Sequence, residues 1–181
     1  MKKISSKNII LIILILLLIL ESFFLVYFYK KTKEEKKSSK MASLFFEPKE
    51  GKFKVGEEFE VKIFVDTGDY QTDATDVRLN FNPQILQVTK ITEGKIYDDY
   101  PAKRVDLENG VIIINGITSL IKTFKGKDIF AVVTFKGIKP GIANLIFEFE
   151  PSSTTDSNVV ASGIAKDVLG EVEGASIEIR K

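Results

Sequence analysis

Glu58-Phe59-Glu60-Val61-Lys62-Ile63-Phe64-Val65-Asp66 alternates along the chain with a period of two. Phe59, Val61, Ile63 and Val65 share one phase; Glu58, Glu60, Lys62 and Phe64 share the other, and Asp66-Thr67-Gly68-Asp69 closes the run. Successive side chains of a strand point to opposite faces, so the pattern predicts a half-buried β-strand. A second such run follows at once. Val77, Leu79 and Phe81 alternate with Asp76, Arg78 and Asn80, and Asn82-Pro83 stops it, since proline has no N–H for a strand ladder.

Working outward, further strands are predicted at Leu86–Ile91, Val105–Leu107, Val111–Asn115, Ile129–Phe135, Ala143–Phe149 and Ala175–Ile179. All are rich in Val, Ile, Leu, Phe or Ala, and turn residues separate them: Glu93-Gly94, Asn109-Gly110, Lys125-Gly126 and Lys139-Pro140-Gly141. Short strands at this spacing, with no helical period between them, indicate an all-β antiparallel sandwich. Asn109-Gly110 is the sharpest hairpin signal. Most of the 14 Phe, among them Phe59, Phe81, Phe135 and Phe147, fall on inward phases and are expected in the core. With no Trp, and with Tyr70, Tyr97 and Tyr100 as the exposed aromatic candidates, a flat surface for crystalline polysaccharide is poorly supplied.

Charge is uneven. Residues 1–40 hold nine lysines against three glutamates, leaving 17 basic and 22 acidic residues beyond them. A mildly acidic domain argues against nucleic acid, whose binding requires a basic face. There is no Cys and no His, which removes disulfides, thiolate metal sites and the commonest general base. Asp98, Asp99, Asp106 and Glu108 are carboxylates without any sign of a shared cleft, and the glycines follow hairpin logic rather than a phosphate loop. The chain is read as no enzyme.

After a basic tail at 1–8, residues 9–29 carry twelve consecutive Ile and Leu, then Glu21-Ser22, then Phe23-Phe24-Leu25-Val26-Tyr27-Phe28-Tyr29. A helix of this length spans roughly 30 Å, the hydrocarbon thickness of a bilayer. Glu21 costs about 2–3 kcal/mol there, less than the aliphatic run returns. A cleaved signal peptide shares the basic start, but its cleavage site needs small residues where this chain has Glu21 to Tyr27. The segment reads as a transmembrane signal-anchor helix. Residues 30–43 read as a charged linker and 44–181 as the β domain. Lys30, Lys31, Lys33, Lys36 and Lys37 outnumber the N-terminal lysines, so the positive-inside rule alone places the domain inside.

The order of features in 44–180 resembles the cohesin domain, a module of the same sandwich superfamily as certain cellulose-binding modules. The resembling residues are Val55-Gly56-Glu57-Glu58-Phe59-Glu60-Val61, Asp66-Thr67-Gly68-Asp69, Ala74 to Pro83, Ile85 to Val88 with Gly94, Asp128 to Phe135, Gly141 and Ala175 to Ile179. Asn82 stands before Pro83 where the family usually has Asp. The resemblance implies a jelly-roll β-sandwich of about nine strands with a binding role: a cell-surface module holding a dockerin-bearing partner. The alternatives are a carbohydrate-binding module for polysaccharide and a structural or adhesion domain. Those roles imply an extracytoplasmic domain, against the lysine count. Matched onto this chain, the partner-binding face carries Asp76, Arg78 and Asn80.

Two oxygen-rich loops, Asp66 to Asp76 and Ser152 to Asn158, offer candidate calcium ligands in Asp66, Asp73, Asp156 and Asn158, because calcium takes six to eight oxygens.

Overall fold

The computed structural model describes residues 15–27, 39–119, 121–151 and 153–181. The chain divides into two units, Met1–Ser39 and Lys40–Lys181. In the first, residues 15–27 form a helix whose apolar side chains are exposed on every side. Among the described residues no helix is long and apolar enough to cross a membrane. The tail at 1–8, the rest of the 9–29 segment and most of the linker lie outside the described residues.

The second unit is an all-β sandwich. Its strands are β1 Ala42–Glu47, β2 Glu50–Lys54, β3 Glu58–Asp66, β4 Thr72–Asn80, β5 Leu86–Glu93, β6 Asp99–Asp106, β7 Val111–Ile117, β8 Lys127–Gly137, β9 Gly141–Phe147, β10 Asn158–Ala161, β11 Lys166–Asp167, β12 Leu169–Val172 and β13 Ala175–Arg180. One sheet runs β12-β1-β3-β8-β5. The other runs β11-β10-β4-β9-β13-β2, with β7 also paired to β4 and β6 to β7.

The described residues thus form thirteen strands, more than the roughly nine expected; two of the extra strands arise because β1/β2 and β12/β13 are long strands that step from one sheet to the other. Pro48-Lys49 makes the first step and Glu173-Gly174 the second. The steps lie side by side: Glu173 N–H donates to Leu44 O, Ser176 N–H to Lys49 O, and Lys49 pairs with Glu173. The strands run alongside each other, so β1–β12 and β13–β2 are parallel pairs. This corrects the purely antiparallel expectation; period-two patterning reports facing, not direction.

The core lies between the sheets. Phe59, Val61, Ile63 and Val65 of β3 are buried, as are Val77 and Leu79 of β4. Phe46 stacks on Phe147 with centroids 4.2 Å apart, and Phe135 contacts both Phe59 and Phe81. Burying such rings stabilises by about 1.5–3 kcal/mol each. Phe64, on the outward phase of β3, stacks against its cross-strand neighbour Phe45, and the Lys127 ammonium lies 4.4 Å from the Phe45 centroid.

Tyr97 and Tyr100, expected at the surface, are buried at 6 % exposure. The Tyr97 hydroxyl lies 2.7 Å from the Thr75 hydroxyl and 3.2 Å from that of Thr72; the Tyr100 hydroxyl donates to Phe130 O at 2.8 Å. A phenol enters a core when its O–H has a partner, and partners in other strands are invisible to local pattern. Burial raises both phenol pKa values above the ordinary range.

A candidate partner-binding face

Strand β4 is inside its sheet, so its outward phase is a presented surface rather than an edge. Asp76, Arg78 and Asn80 occupy that phase and are half-buried, while Val77 and Leu79 face the core. The structure therefore brings the three predicted partner-binding residues together on one strand face. On one side β7 pairs with the whole strand, setting Asn115 opposite Asp76, Ile113 opposite Arg78 and Val111 opposite Asn80. On the other side β10 covers the first half, with Asn158 opposite Asp76, and β9 covers the end, with Ile146 opposite Asn80.

Side chains cross these pairs. The Asn115 side-chain amide donates to Asp76 Oδ1. Arg78 Nε donates to Glu148 Oε2 at 2.7 Å. Where β9 and β10 meet, Ser157 fills the break: its N–H donates to Glu148 O, and its hydroxyl both accepts from Arg78 N–H and donates to Arg78 O. Next to Asn80, at the end of this row, β9 presents Ile146, 54 % exposed, and beyond the end of β4 it presents Asn144 and Ile142, the latter 65 % exposed. The face combines fixed polar groups with free aliphatic surface, which is the chemistry of a protein interface. Asn115, Glu148, Ile113 and Ile146 were not singled out from sequence. Val111-Ile112-Ile113-Ile114 is apolar in both phases, so alternation could not tell which isoleucines point outward.

The calcium candidates fall on both sheets. Asp66 ends β3 in the five-stranded sheet, where its Oδ2 accepts from Lys40 Nζ at 2.7 Å and its Oδ1 from Gly68 N–H at 2.9 Å. The Lys40 hydrogen bond holds its carboxyl pKa below the usual range. Asp73 lies on β4. Asp156 and Asn158 are close together: the Asn158 side-chain amide donates to Asp156 O at 2.9 Å, Asp156 Oδ2 accepts from Glu150 N–H, and Oδ1 is buried without a partner. Among the described residues no group of three or more His, Cys, Asp or Glu is placed to hold a metal ion.

No curated protein matches the chain. Several solved structures share its fold. The third cohesin ScaC of Acetivibrio cellulolyticus, solved in complex with the ScaB dockerin, is 17 % identical with a TM-score of 0.64, over 78 % of this chain and 100 % of that one. The OlpC cohesin of Clostridium thermocellum, from a type I cohesin–dockerin complex, is 18 % identical with a TM-score of 0.62, over 80 % and 97 %. A non-cellulosomal cohesin from the archaeon Archaeoglobus fulgidus is 11 % identical with a TM-score of 0.59, over 78 % and 93 %. The family model described as Cohesin domain matches residues 44–168, more than half of the sequence, and the chain belongs to the cohesin-domain family.

Proposed function

We propose that residues 40–181 are a protein-binding module without catalytic chemistry, and that the outer face around Asp76, Arg78 and Asn80 receives a dockerin-bearing partner. The observation that carries this is the position of β4. It is paired along both flanks, yet its outward row remains half-open, with the exposed Ile146 beside Asn80. Two of the similar structures are themselves cohesins bound to dockerins, which supports the choice of partner. The polysaccharide alternative loses aromatic surface, since Tyr97 and Tyr100 are core residues.

The proposal includes the N-terminal segment. The apolar run 9–29 holds the module on a membrane as a single span, with the β domain on the outer side, where a partner protein is met. Calorimetric titration of residues 40–181 with dockerin modules tests the binding reading. Carbonate extraction of the full chain from membranes, with protease access to the domain in intact cells, tests the anchor and its orientation.

A further inference from the structure

The chain enters the β domain at Lys40, and the entry is clamped. Lys40 N–H donates to Asp69 Oδ2 at 2.6 Å, and Asp69 N–H returns a bond to Lys40 O at 3.0 Å. Three loops meet at this end. Thr67 N–H donates to Gly126 O, Thr72 and Phe124 exchange backbone bonds, and Ser162 N–H donates to Gln71 O. The described loop residues 67–71, 118–119, 121–126 and 162–165 are therefore laced into one platform around the entry point.

From this platform two isoleucines project into solvent. Ile121 is 93 % exposed, more than any other large apolar residue among those described, and Ile164 is 62 % exposed. Ile164 stands between Gly163 and Ala165, both at positive φ, 75° and 47°. An alanine held in the left-handed region is uncommon, and here it shapes the turn that carries Ile164 outward. Lys122, Lys125 and Lys166 are at the same end. Lys122 pairs with Asp98, and Lys125 donates to Asp69 O.

The opposite end also exposes apolar residues: Val55, Leu107 and Ile138, each about half. Chain connectivity distinguishes the two ends. Only ten residues, 30–39, separate the apolar 9–29 segment from Lys40. Fully extended they reach at most about 35 Å. A domain tethered this closely meets the bilayer surface at high local concentration, so even a weak contact is populated.

We propose that Ile121 and Ile164 are lipid-contacting tips: they enter the interfacial layer of the membrane that holds the chain, with the lysines at headgroup level. This rests on the membrane-anchored reading of residues 9–29. Aliphatic tips with neighbouring lysines suit this layer, because the side chain leaves water while the ammonium stays in it. The contact would turn the entry end toward the bilayer and leave the sheet faces lateral and open to a partner.

The chain has no Trp, so Ile121→Trp, Ile164→Trp and the control Ile138→Trp each install a unique fluorophore at an exposed site. The full chain of each variant, with its fold checked by circular dichroism, is reconstituted in phosphatidylcholine–phosphatidylglycerol vesicles with brominated acyl chains. Expected are a blue-shifted emission and at least about twofold quenching at 121 and 164, strongest with bromines near the headgroup because interfacial burial is shallow, and neither effect at 138. If the chain floats with the vesicles but all three tryptophans emit as in water, the inference fails and the anchor reading stands. A blue shift without bromine quenching that grows with protein density identifies a second copy as the occupant and also overturns it. If the chain does not float with the vesicles, the anchor reading itself fails, and this inference with it.

Discussion

The Ser157 hydroxyl accepts a hydrogen bond from the Arg78 N–H at 3.0 Å and donates one to the Arg78 carbonyl at 3.2 Å, closing the ladder of β4 where β9 ends and β10 begins. A residue between two strands thus completes the backbone of the strand that carries the candidate face. Ser157→Ala leaves the Arg78 N–H without this partner. An unsatisfied buried donor costs about 1–3 kcal/mol, so urea unfolding should show a lower midpoint with an unchanged slope.

The β6–β7 hairpin gives a second test. Gly110 has φ 68°, and a Cβ there would lie 2.2 Å from Phe81 O and 2.7 Å from Pro83 Cδ. Its own carbonyl accepts the Phe81 N–H at 2.8 Å. Gly110→Ala therefore combines strain with a backbone clash and should destabilise by about 2–4 kcal/mol, measured as a fall in Tm.

The hairpin also shows how far the sequence could be read. Asn109-Gly110 located it, and Val77/Leu79 against Asp76/Arg78/Asn80 fixed the facing of β4. Two things were not legible. One was the division of β1/β2 and of β12/β13 between sheets, where the inward phase shifts at the step: Leu44 and Phe46 face the core in β1 but Phe53 in β2, and Val172 in β12 but Ala175 and Ile177 in β13. The other was long-range pairing: Tyr97 with Thr72 and Thr75, or Arg78 with Glu148 seventy residues on. Polar residues look solvent-facing until the partner that satisfies them is known.

Asp98 accepts from Lys122 Nζ at 2.6 Å and from Ser119 N–H at 2.9 Å, and these bonds lower its pKa to about 2. A carboxyl whose folded pKa is depressed adds stability above its unfolded value of about 3.9, and that contribution is lost as pH falls through the folded value. The loss should therefore fall between about pH 4 and pH 2. Carbon-13 NMR titration should place Asp98 well below the ordinary aspartate value of about 3.9, and Lys122→Ala should move it upward.

The carboxylate of Asp66 already has Lys40 and Gly68 as partners, and Asp73 lies on β4 in the other sheet. Excess chelator is therefore expected to leave Tm unchanged. A fall of several degrees would indicate that calcium contributes to the fold, with the unpartnered Asp156 Oδ1 as the first place to look.

The outward row of β4 is proposed to bind a dockerin-bearing protein. The direct measurement is calorimetric titration of residues 40–181 with dockerin modules from the same organism, beside a variant with Asp76, Arg78 and Asn80 all changed to Ala. Saturable binding by the parent domain is expected, weakened at least about tenfold, or roughly 1.4 kcal/mol, in the variant, whose far-ultraviolet circular dichroism is unchanged. Equal binding by both proteins would contradict the assignment of the face, and no binding to any of the dockerins would contradict the proposed partner.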